Sequence, residues 1–253
     1  MIKGLYAAAS AMVTGLARQN LISHNLANIE TPGFRALLST LEDFRQTAVW
    51  SQPANENLLR QRLAYYGRLG LGVETRDPVT DYAQGALRQT EQPLDVAIQG
   101  AGFFRIETPN GERYTRDGRF LRDAAGQLVT PEGYRVLNVN GQPITLPEGR
   151  VAIGSNGVIR VNNAEVARLG LAAFEDPRVE LTQDLPNTFR AAGGPTSDAV
   201  GTVVQGFVEQ SNVNAALMMT QMVEVNRAYQ AAQRLVQTQD ELLGRAIQIL
   251  GRL

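Results

Sequence analysis

Residues 214–250 read NAALMMTQMVEVNRAYQAAQRLVQTQDELLGRAIQIL, and their spacing decides the fold. Ala215, Met218, Met222, Val225, Tyr229, Ala232, Val236, Gln239, Leu243, Ala246, Leu250 and Leu253 step by three and four alternately, and Gln239 is the one polar member. That alternation belongs to a helix that buries a narrow line against another helix. Leu235, Leu242 and Ile249, seven apart, add a second apolar flank, whereas Glu224, Arg227, Gln230, Arg234, Gln237 and Glu241 fall outside the seam. At 1.5 Å per residue the helix reaches about 50–55 Å, too long for a compact domain of this size.

The other end of the chain offers a partner. Ile2, Leu5, Ala9, Met12, Leu16, Gln19, Ser23 and Leu26 follow the same alternation, which predicts a helix over residues 3–28. It stops at Asn28-Ile29-Glu30-Thr31-Pro32-Gly33, where Pro32 restricts the residue before it and Gly33 accepts a left-handed conformation. The start, with Lys3 ahead of an Ala-rich stretch, imitates a secretion signal. Ser10, Thr14 and Gly15 interrupt that stretch and the helical period runs on to Leu26, so it reads as a structural helix.

Between the ends the texture changes. Asn110-Gly111, Asp117-Gly118, Asn140-Gly141 and Asn156-Gly157 separate short runs of Val, Ile, Phe, Tyr and Leu, a pattern that predicts antiparallel hairpins with type I′ turns. Expected strands are 72–75, 86–89, 95–99, 102–108, 112–115, 119–122, 134–139, 151–153, 158–161 and 166–174, forming a small sandwich or barrel. The fold class is therefore α+β: terminal helices paired as a coiled-coil stalk, with an antiparallel all-β domain inserted between them. The expected domains are 1–34 plus 202–253 for the helices, 35–70 for an extended or partly helical linker, and 71–201 for the outer β-domain. Within the last, 189–201 reads as loop.

Composition removes many chemistries. Lys plus Arg is 24 against Asp plus Glu 25, which leaves no basic footprint for nucleic acid. No run approaches the length of a membrane-spanning helix, so neither nucleic acid binding nor membrane insertion is expected. Zero cysteines and one histidine exclude thiolate chemistry, Cys-ligated metals and multi-histidine metal sites, and no cofactor is expected. His24, among Asn20, Ser23, Asn25 and Asn28, reads as a solvated or interface histidine rather than a proton-transfer group. Gly100-Ala101-Gly102 lacks the third glycine and following helix of a dinucleotide loop and reads as a strand kink. Asp95, Asp117 and Asp123 could form a glycosidase-like carboxylate pair, but Asp117 and Asp123 sit in turn contexts that already explain them.

Three signatures then carry a resemblance. The first is Ala8-Ala9-Ser10-Ala11-Met12, Gln19, Asn25-Leu26-Ala27-Asn28 and Thr31-Pro32-Gly33-Phe34-Arg35. The second is Gln92-Pro93-Leu94-Asp95-Val96-Ala97-Ile98-Gln99-Gly100-Ala101-Gly102-Phe103-Phe104, with Tyr114-Thr115-Arg116-Asp117-Gly118-Arg119-Phe120 and Gly126-Gln127-Leu128-Val129. The third is Gln205-Gly206-Phe207-Val208-Glu209-Gln210-Ser211-Asn212-Val213, with Met222-Val223-Glu224-Val225-Asn226-Arg227-Ala228-Tyr229 and Asp240. In this order they resemble the bacterial flagellar rod and hook axial proteins, most closely rod proteins of the proximal and distal type. Asn226, where Gln is usual, and Ala101, where a polar residue is common, depart from the pattern.

The resemblance implies a non-enzymatic structural subunit exported through the flagellar secretion apparatus to the basal body. It also implies a homo-oligomer in a hollow helical tube that transmits torque, in contact with other rod and hook proteins. The residues expected to carry assembly are Leu5, Met12, Leu16, Leu26, Met222, Val225, Tyr229, Val236, Leu243 and Leu250. The alternatives are a stalked adhesin and a wall-active β-domain.

Overall fold

The computed structural model describes residues 2–43, 46–50, 65–70, 72–185, 187–196 and 201–250. The chain is α+β and divides into two compact units. One comprises 1–24, 38–79 and 216–253; the other comprises 25–37 and 80–215.

The first unit is dominated by two helices that pack together, α1 (Ile2–Ala27) and α3 (Ala215–Leu250). Both match the expected spans to within a residue at each end. The 36 residues of α3 give a length of about 54 Å. Two antiparallel strand pairs accompany them, Leu41–Asp43 with Val73–Thr75 and Gln46–Trp50 with Tyr65–Gly70. The Val73 amide donates to Ser10 Oγ at 3.2 Å, tying one pair to α1. The segment read as a linker, 35–70, thus contributes strands; its residues 44–45 and 51–64 lie outside the described ones.

The second unit is built on an eight-stranded antiparallel sheet. Its central hairpin pairs Phe103–Thr108 with Gly111–Thr115. Because successive side chains of a strand point to opposite faces, Phe104 and Ile106 enter one core with Ile98, Phe120, Leu128 and Ile159, while Phe103 enters a second with Tyr114, Phe174 and Phe189. A three-stranded sheet over 151–168 closes the larger core through Ile153, Ile159 and Val161. Short helix α2 (Pro177–Glu180) leads into strand Leu181–Leu185.

Two readings need correction. Asn110, Asn140 and Asn156 keep negative φ, and only the following glycines are left-handed, at +97°, +75° and +77°. The Gly141 and Gly157 amides close turns on carbonyls three residues earlier, as in type I turns with glycine in fourth place, not type I′. The expected loop 189–201 begins with strand Thr188–Ala191, paired to Tyr114 and Thr115 of the central hairpin and to the Leu181–Leu185 strand.

Candidate functional site

In α3 the covered line is the expected seam. Met218, Val225 and Ala232 are buried, at 6, 3 and 6% exposure. Ala215, Met222, Tyr229, Val236, Gln239, Leu243 and Ala246 are half-buried. A methyl built at Gly15 would lie 3.6 Å from Tyr229 Cδ2, and one at Gly4 would lie 3.8 Å from Gln239 Nε2. Rising numbers on α1 meet falling numbers on α3, so the helices are antiparallel.

The α1 line differs from its reading. Leu5, Met12, Gln19 and Leu26 are half-buried as expected, but between them Ala8, Gly15 and Ile22 face inward, and Ala9, Leu16 and Ser23 are exposed. The difference centres on Gly15. A hydrophobicity pattern scores glycine as blank and steps to Leu16, whereas the structure turns Gly15 itself inward, against the Tyr229 ring.

Part of what remains outside is apolar. On α1, Tyr6, Val13 and Leu16 are 67, 68 and 46% exposed along one stripe. On α3, Leu235, Leu242 and Ile249 are 54, 46 and 67% exposed at intervals of seven. Of the residues expected to carry assembly, Leu5, Met12, Met222, Val225, Tyr229, Val236 and Leu243 therefore lie on the covered lines, Leu16 faces outward, and Leu26 is half-buried beside the connector that follows α1. The side chain of Leu250 lies outside the described residues.

Within the second unit, the connectors that follow α1 and precede α3 converge on one buried carboxylate. Glu209 Oε1 accepts from Arg35 Nη1 at 2.6 Å and from the Gly85 amide at 2.9 Å; Oε2 accepts from Arg116 Nη1 at 3.0 Å. All three charged side chains are at most 5% exposed. The Gly33 amide donates to the Glu209 carbonyl at 2.7 Å, and the Ala36 amide donates to Asn212 Oδ1 at 2.7 Å. Gly33 holds φ +71°, and an added methyl would lie 2.5 Å from Arg116 and Asp117 backbone atoms. Arg116 also donates to the Gly100 carbonyl at 2.7 Å and stacks 5.1 Å from the Phe103 ring centre. Burial pushes its guanidinium down to about 10, against the pull of Glu209. This cluster was missed by sequence reading, which took all three residues as parts of signatures.

The suspected chemical residues have structural occupations. Asp117 takes Arg119 through both oxygens, with Nε at 3.0 Å from Oδ1 and Nη2 at 2.7 Å from Oδ2. Asp123 Oδ1 accepts the Ala125 and Gln127 amides of its own turn. Asp95 bridges Arg119 by backbone pairing. Gly100 and Gly102, at φ +102° and +128°, turn the chain between strands Val96–Gln99 and Phe103–Thr108. His24 is exposed near the end of α1.

Comparison with known proteins places these elements in a family. Residues 5–35 match the flagella basal body rod protein family, 97–161 the flagellar hook protein FlgE/F/G D1 domain, and 204–249 the flagellar basal body rod FlgEFG protein C-terminal family. The chain is 35% identical to the flagellar basal-body rod protein FlgF of Rhizobium meliloti, with 99% of each chain covered. It is 32% identical to the rod protein FlgG of Bacillus subtilis, covering 96% of this chain and 97% of that one. It is 34% identical to FlgF of Mesorhizobium japonicum, with 99% of each covered. Arg35, Arg116 and Glu209 fall one in each matched region.

Proposed function

The chain belongs to the flagellar basal-body rod protein family, a family of structural proteins, and on that premise we propose that it polymerises through its helical unit into a hollow helical shaft that carries torque. The observation that carries this reading is the exposed apolar stripe on each terminal helix: Tyr6, Val13 and Leu16 on α1, and Leu235, Leu242 and Ile249 on α3. Apolar patches of this kind mark surfaces that another protein covers. Here the covering surface is a second copy of the same helical unit, and a repeated head-to-tail contact that does not close generates a helix of subunits. Other rod and hook proteins cap its two ends, and the flagellar export apparatus delivers the subunit.

In this reading the helices pair as a short coiled-coil stalk. Leu5, Met12, Met222, Val225, Tyr229, Val236 and Leu243 zip the stalk, Leu26 continues it at the end of α1, and Leu16 joins the outward stripe that meets the neighbour. The division of labour yields a test. Leu235→Asp with Leu242→Asp, both outward, is expected to leave the subunit folded to within about 0.5 kcal/mol and to abolish polymerisation and motility. Leu243→Asp acts one step earlier by opening the stalk. Filaments of normal length from the double variant, seen by electron microscopy, would sink the proposal.

A further inference from the structure

The ionic cluster in the β unit is unbalanced. Two guanidinium groups share one carboxylate, and Nε of both Arg35 and Arg116 is buried with no hydrogen-bond acceptor among the described residues. A surplus buried cation is costly, and well-packed apolar residues would serve stability as well or better. Simple stabilisation therefore does not account for the arrangement.

Its placement suggests another role. Arg35 lies on the connector that follows α1, Glu209 on the connector that leads to α3, and Arg116 on the turn leaving the central hairpin. Arg35 and Glu209 are far apart in sequence yet meet at 2.6 Å. The connectors also share the contact between the Gly33 amide and the Glu209 carbonyl, and that between the Ala36 amide and Asn212. Asn212 Nδ2 in turn donates to the Asp81 and Ala83 carbonyls, and Arg35 donates to the same Ala83 carbonyl at 2.7 Å. Neither connector is satisfied without the other: removing Glu209 strands two cations, and withdrawing Arg35 leaves one oxygen of a buried carboxylate with a single amide.

We propose that Arg35, Glu209 and Arg116 form a reciprocal clamp that makes the order of the two connectors a single event, so that loosening either one releases the other while the sheets of the β unit stay folded. The clamp joins the chain leaving α1 to the chain entering α3, and a pull on one connector is shared with the other. The inference rests on the fold of one subunit and not on polymerisation, so it stands or falls independently of the rod reading.

Hydrogen exchange on the full-length subunit, kept as a monomer, tests it. Coupling between sites is reciprocal by thermodynamic necessity. Glu209→Gln, nearly isosteric, is expected to speed exchange about tenfold in residues 30–36 as well as in 205–213. Arg35→Met is expected to speed exchange in 205–213 by a similar factor. Strands Phe103–Thr108 and Val158–Val161 are expected to keep their protection. If Glu209→Gln unfolds the unit outright, Glu209→Asp and Arg116→Lys, which keep the charges and change only reach and fork, carry the same comparison. Loosening confined to the mutated connector, or loss of protection throughout the unit in these milder variants, overturns the clamp.

Discussion

The β unit and the helical unit use apolar residues in opposite ways. In the β unit most large apolar side chains close on a core, where Val96, Phe104, Ile106, Val136 and Ile159 have no exposed surface, and Leu121, Val139, Val166 and Val179 are the large ones left outside among the described residues. In the helical unit the covered line is narrow and admits Gly15 and Gln239, while whole leucines and isoleucines stay outside. The Nε of Arg18 and Oε1 of Gln239 are buried there without a partner among the described residues. Isolated helices are marginal, and their stability comes from burying an apolar face. The contrast is between a region complete within one chain and a region that gains its remaining burial from neighbours.

The sharpest way to break that contrast is to damage the complete region. Phe104 is wholly buried and meets Phe120 edge-on at 5.0 Å. Phe104→Ala is expected to cost about 3–5 kcal/mol, as large-to-small changes in closed cores do. Chemical denaturation of the full chain measures it. A loss below about 1 kcal/mol would mean that the β unit relaxes around the cavity and is no better closed than the helices.

Alkaline titration probes the same closure more gently. Burial, helped by the neighbouring Glu112 carboxylate, pushes the Tyr114 hydroxyl up to about 12. Its pKa is raised above the unfolded value of 10.0, so its contribution to stability is intact below that pH and is lost as pH climbs through about 12. Arg116 acts in the opposite sense, because its lowered value lets the folded state release a proton first. Comparing Tyr114→Phe with the parent isolates the tyrosine. The parent is expected to lose stability relative to the variant over that window, and parallel curves would place Tyr114 in contact with water.

How far each region could be read in advance follows the same division. Seam and flank of α3 were legible because a long helix repeats one signal many times. The hairpin around Asn110-Gly111 was legible because its strands are neighbours in sequence. Strands Thr202–Gln205 and Phe207–Glu209 were not, since Val203 pairs with Ile98 and Val208 with Arg88, across more than a hundred residues that leave no local trace. The clamp was hidden for a related reason. A charged residue in a sequence is ordinarily a solvated one, and only the fold brings Arg35, Arg116 and Glu209 together away from water. The clue available was that each stands among glycine and aromatic residues within a signature.

The smallest test concerns one substitution made in both regions. Gly33, in the β unit, is left-handed, and a methyl there would press within 2.5 Å of backbone atoms that cannot give way. Gly33→Ala is therefore expected to destabilise by about 1–3 kcal/mol. Gly15, inside α1, is helical, and a methyl there would meet the Tyr229 ring at 3.6 Å, an ordinary contact distance. Alanine is favoured over glycine within a helix by about 0.5–1 kcal/mol, so Gly15→Ala is expected to stabilise the isolated subunit, read as a higher thermal midpoint. Larger side chains at the same place would push the ring away. If Gly15→Ala destabilises instead, Tyr229 sits closer to α1 than an extra methyl allows, and the helical unit is as tightly packed as the β core. A gain shows a joint with room to spare, as expected of a surface that acquires its final packing from a second copy.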